Sequence, residues 1–138
     1  MRTMTRIVIS LFVAVLILHV AAAIVTSVTV SSGRFVEGNP AAAELQFSYG
    51  VPAGLAVTLI EGTILSMVPL FIYLGALTFT RSSYVPACDK QQTMQFVKYC
   101  FFPLAVFVLG YLIAIAGADV IHDSAMLLSN GQINPWSF

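Results

Sequence analysis

The chain has 138 residues; 59% are hydrophobic, 9% are charged, the mean hydropathy is +0.93 and the formal net charge is zero. A soluble domain carries about 25% charged residues, so this chain lacks the polar side chains to cover a soluble particle of its size. The length allows one domain, and a neutral chain without a basic stripe excludes a nucleic-acid-binding surface.

Arg2 and Arg6 precede an apolar run from Ile7 to about Val30, with no further charge before Arg34. About 20 helical residues, at about 1.5 Å each, cross a hydrocarbon core of about 30 Å. This is a full crossing. The basic start and the small residues Ala21-Ala22-Ala23 also suit a signal peptide, but the apolar run continues through Val30, so a retained signal anchor is expected. His19, Ala22, Ala23 and Thr26 share one helix face by their i, i+3, i+4, i+7 spacing. Small and weakly polar residues mark the side that packs on other helices.

Ser31-Ser32-Gly33 breaks this helix, and a polar loop holds Arg34, Glu37 and Glu44. Asn39 is a good N-cap and Pro40 suits the first helical position, predicting a short helix from Pro40 to about Phe47 at the membrane surface. Gly50 and Pro52 punctuate the entry into the second crossing.

That crossing, Val51 to Phe79, is longer than a straight span needs, so it should tilt or project. Pro69 removes a backbone donor and predicts a kink. Gly54, Thr58 and Glu61, at i, i+4, i+7, are expected on one packing face. Glu61 is charged inside the apolar run, and charge at membrane depth should meet protein, a partner or water rather than lipid.

The next loop, Thr80 to Lys98, carries Arg81, Asp89, Lys90 and Lys98, and Gln91 to Gln95 should begin a helix feeding the third crossing. The third crossing covers about residues 99–121, with Pro103 early in it, and its helix should extend to about Leu128 before Asn130-Gly131 ends it. Gly110, Ala114 and Gly117 form a second small-residue stripe where helices can approach closely. Trp136 and Phe138 in the tail suit a membrane interface or a partner groove.

These elements predict an all-α fold: an integral membrane bundle of three transmembrane helices, forming a single membrane domain, with a short helix in the outer loop. Arg2, Arg6, Arg81, Lys90 and Lys98 fall on one side and only Arg34 on the other. Under the positive-inside rule this puts the N-terminus in the cytoplasm and the C-terminus outside. Cys88 and Cys100 then lie on or near the reducing side, at a spacing that matches no zinc or redox pattern.

Few residues are candidates for chemistry. Glu61 is either a carboxylate that binds a cation or relays a proton, or one that ties helices together, and His19 is a potential intramembrane partner. Asp119, His122 and Asp123, at i, i+3, i+4, project from one side of a helix and suit a divalent metal if a second element such as Glu37 completes the site. Hydrogen bonds or salt bridges, to Arg34 or to a partner, are the plainer role for them. No Gly-rich phosphate loop, paired CxxC or H-E-x-x-H occurs, so no catalytic residue is expected.

The end of the first crossing, the polar break, Glu37-x-Asn39-Pro40 and the second crossing together resemble a group of small multi-pass prokaryotic membrane proteins of unknown function. In that group a Glu-x-Asn-Pro loop joins the first two helices. The resemblance covers about residues 20 to 75 and implies topology, not chemistry. The chain departs from the group in two ways: Glu61 stands where a basic residue is common, and the first helix has no acidic residue.

Three spans with small-residue faces leave hardly any room for a substrate cavity of their own. The expected function is therefore a small accessory or structural subunit of a larger membrane complex, in contact with the lipid bilayer and with other membrane subunits or copies of itself. The alternatives are a homo-oligomeric ion or proton channel using Glu61, and a membrane metal-binding protein using Asp119, His122 and Asp123.

Overall fold

At membrane depth no water satisfies the backbone, so only helices and closed barrels serve there. Among the described residues every regular element is a helix. The computed structural model describes residues 2–31, 40–82 and 84–129, with only the backbone of Pro40 and Ala41. The elements are α1 (Arg2–Ser31), α2 (Pro40–Tyr49), α3 (Val51–Arg81), α4 (Lys90–Phe96), a π-helical turn (Val97–Phe101) and α5 (Phe102–Leu128). Three helices are long and apolar enough to cross a membrane: α1, α3, and the continuous stretch Lys90–Leu128. This is the make-up of a multi-pass membrane protein. The short helix between the first two crossings is α2, which starts at Pro40. Arg34, Glu37, Asn39, Trp136 and Phe138 lie outside the described residues.

The α2–α3 corner is built by Gly50. Its φ of +91° is one that side-chain-bearing residues rarely adopt, and its N–H donates to the Gln46 carbonyl at 2.9 Å, closing the end of α2. Its own carbonyl accepts from the Ala53 N–H at 3.1 Å.

The helix feeding the third crossing, expected to begin within Gln91 to Gln95, starts at Lys90. It runs on without a break, so Pro103 lies in a helix interior rather than in a first turn. A proline there has no N–H to donate and its ring crowds the carbonyl four residues back. The chain widens into the π turn immediately upstream, and the Phe102 N–H bonds the Val97 carbonyl five residues before it.

Contacts group the chain into two compact units, Met1–Val15 with Ile64–Ile113, and Leu16–Thr63 with Ala114–Phe138. The first is built round Val8 and Val15 of α1, Tyr73 and Leu77 of α3, and Val97, Ala105 and Leu109. Tyr73 is wholly buried; its ring tilts against Phe102 at 6.3 Å, and its hydroxyl lies 3.4 Å from Thr5 Oγ1. Thr80 is buried because its hydroxyl turns back to donate to the Ala76 carbonyl at 2.7 Å.

In the second unit α2 lies directly on Gly54. A Cβ at that position would sit 2.6 Å from the Ala42 carbonyl oxygen and 2.9 Å from Gln46 Nε2. Only a glycine admits the two backbones so closely. Thr58, one turn on, returns its hydroxyl to the Gly54 carbonyl at 3.3 Å.

From Gly62 onward the buried positions of α3 are Gly62, Ser66, Pro69, Tyr73, Leu77 and Thr80. They step at i, i+4, i+7, i+11, i+15 and i+18, a continuous helical stripe. The stripe continues from Gly54 and Thr58 to Gly62. Glu61, expected on this face, is exposed beside it. One position is about 100° of helix rotation, which separates inward from outward.

Candidate functional site

The polar and ionisable side chains of the second unit form the candidate site. His19 is half-buried on α1 and its ring lies against the backbone of Gly62. A methyl group on Gly62 would overlap the His19 ring carbons. Glycine at this point makes room for an imidazole among apolar helices, and a buried Gly62 is what sequence reasoning missed. The signal was present: a glycine four positions after Thr58, on the face that Gly54 had already marked.

Glu61 immediately precedes Gly62 in α3. It is exposed, and its exposed neighbours along the helix are Ile60 and Ile64, each 57% accessible. A carboxylate therefore stands on an otherwise apolar outer surface of α3. No other charged residue occurs in α3 before Arg81.

The ends of α1 and α5 meet through a short hydrogen-bonded chain. Thr26 Oγ1 donates to Asp123 Oδ2 at 2.5 Å, and Asp123 Oδ1 lies 3.0 Å from His122 Nδ1. Both His122 and Asp123 are 22% exposed, so the pair is largely withdrawn from solvent. One carboxylate thus links two crossings and orients an imidazole. The sequence placed Thr26 on a packing face and Asp123 in a polar cluster; their link across 97 positions needed the structure.

Asp119 is exposed one turn earlier, and among the described residues no three His, Cys, Asp or Glu side chains gather as a metal site. Thr26 already donates to one Asp123 oxygen. A structural zinc needs about four converging ligands, and this arrangement brings together two candidate donors. Cys88 and Cys100 are exposed free thiols.

Among the described residues none packs closely on Gly110 or Gly117 of the stripe Gly110, Ala114, Gly117. A Cβ on Gly110 or Gly117 would meet nothing within 4 Å, and Ala114 is exposed. The buried positions of α5 are Ala105, Leu109 and Ala116, at i, i+4 and i+11. Small side chains mark where close approach is possible, and bulkier Leu109 shows where the chain's own packing occurs.

The Thr26–Asp123 link gives a test of the site. Asp123→Asn removes the charge-assisted acceptor and should lower unfolding stability in detergent by about 1–3 kcal/mol. In a cycle with Thr26→Val the two changes should couple by about 0.6 kcal/mol or more. Strict additivity in thermal unfolding would mean that the two side chains do not meet.

No protein-family model, curated protein or solved structure matches this chain.

Proposed function

We propose that the chain is a small accessory or structural subunit of a larger membrane complex, joined to its neighbours through the outer face of α3 around Glu61. The observation that carries this reading is the exposure of Glu61 among exposed aliphatic residues, about 15 Å along the helix from Val51. A carboxyl-bearing side chain exposed on an apolar helix face is costly against lipid. A neighbouring subunit packed over this face takes the place of lipid and removes that cost. The unfilled Gly110–Ala114–Gly117 face of α5 supports the same reading, because another helix can approach it closely. The basic residues Arg2, Arg6, Arg81, Lys90 and Lys98 support a cytoplasmic N-terminus and an external C-terminus. The Glu37-x-Asn39-Pro40 pattern supports kinship with the small multi-pass prokaryotic proteins that share such a loop.

The test is a mild-detergent pull-down of the tagged full chain, read by mass spectrometry. The expected result is one membrane protein at fixed stoichiometry. That protein should be lost in Glu61→Lys and weakened in Gly117→Leu, while both variants keep the parent unfolding temperature. A wild-type chain that migrates as a lone monomer overturns the proposal. A homo-oligomer with Glu61 ringed around a water-filled axis also overturns it, in favour of a channel.

A further inference from the structure

Within the first unit, α3 and the stretch from Thr93 to Phe101 enclose an apolar groove of about 490 Å³. Gly75, Ala76 and Phe79 line it from α3, and Phe96 and Phe101 line it from the other stretch. The groove is open at Gly75, which has no side chain: a Cβ there would meet nothing within 4 Å. The lining from the other stretch depends on the π turn. Residues five apart come onto one side of a helix bonded i to i+5, and Phe96 and Phe101 meet edge-on at 5.5 Å and 83°. The one polar lining residue, Thr93, gives its hydroxyl to the Asp89 carbonyl at 2.9 Å. The lining is thus suited to hydrocarbon.

The charged residues of this unit have the opposite character to the groove lining. Lys90 lies three residues before Thr93, on the same face of α4. It is exposed, as are Arg2, Arg6, Arg81 and Lys98 in the same unit, against a single acid, Asp89. The lining runs from Phe71 to Phe79, about 12 Å of helix. A partner helix about 10 Å across would need roughly twice the available volume over that length, whereas a single hydrocarbon chain is slender enough to enter.

We propose that this groove binds an anionic phospholipid, with one acyl chain along Gly75 and Ala76 and the phosphate at Lys90. The positive charge of Lys90 selects the headgroup, and the phenylalanines of the lining hold the chain. Occupancy ties α4 to α3 where the chain's own side chains leave space.

Native mass spectrometry of the full chain, titrated with phosphatidylglycerol or phosphatidylcholine of identical acyl chains, tests this. Phosphatidylglycerol should bind more tightly, by about fivefold for each basic residue engaged. Lys90→Gln, an exposed change that leaves folding alone, should bring phosphatidylglycerol down by about that factor toward the phosphatidylcholine level. Gly75→Phe should remove most of the bound phosphatidylglycerol by filling the groove. Equal binding of the two lipids by the wild-type chain overturns the proposal. So does unchanged phosphatidylglycerol binding in Lys90→Gln, or in a Gly75→Phe chain that unfolds at the parent temperature. A co-purifying protein released by Gly75→Phe, with lipid binding unaltered, assigns the groove to that protein and also overturns it.

Discussion

Gly62→Leu is expected to lower the unfolding temperature sharply, and His19→Ala in the same chain to restore at least half of the loss. The imidazole of His19 occupies the space into which any side chain at position 62 would grow. Its contacting atoms belong to a rigid ring, not to the loose end of a flexible chain, so relief requires a new rotamer or a movement of α1. Overpacking of this kind costs about 1–3 kcal/mol and sometimes more, and leucine adds several atoms where even one carbon overlaps. Removing the ring opens the space for the new side chain. Thermal unfolding of the three purified variants in one detergent gives the comparison. Parent-like stability in Gly62→Leu, or no recovery with His19→Ala, would sink the assigned contact.

Tyr73→Ala should cost about 3–5 kcal/mol, the range for emptying a large aromatic site. Tyr73 is wholly buried at the centre of the cluster formed with Val8, Val15, Leu77 and Leu109. Lipid tails are as apolar as this cluster, so no hydrophobic expulsion drives the helices together, and the stabilisation comes from packed atoms. Tyr73→Phe keeps the ring against Phe102 and gives up only a hydroxyl contact of 3.4 Å. It should therefore stay within about 1 kcal/mol of the parent. Chemical unfolding in mixed micelles separates the two variants; a loss of similar size in both would place the weight on the hydroxyl instead of the ring.

The helices themselves were legible because a crossing must be long and apolar, and Pro40 marked the start of α2 by its chemistry. Which face of each helix turns inward was harder to read. In a soluble protein the polar side identifies the outside; in a chain bounded by lipid both sides are apolar and that contrast fades. The charge of Glu61 drew attention to a position one step off the buried stripe, while Gly62 carried the contact. Gly110 and Gly117 read as packing residues, but among the described residues none comes within 4 Å of where their side chains would begin. The helix leading into the third crossing was legible in Gln91 to Gln95, within one residue of its start at Lys90. Asp123 was visible as a cluster member, and its attachment to Thr26 depends on two helix ends that no local pattern connects.

The widened turn before Pro103 also corrects a phase error. Val97 and Ala105 are eight residues apart, which in a regular helix sets them about 80° out of alignment. One residue absorbed as slack reduces the offset to about 20°. Val97, Ala105 and Leu109 can then all face inward, as they do. Deleting a single residue between Val97 and Phe101 would shorten the chain only slightly, but would swing everything upstream through more than a quarter of a revolution.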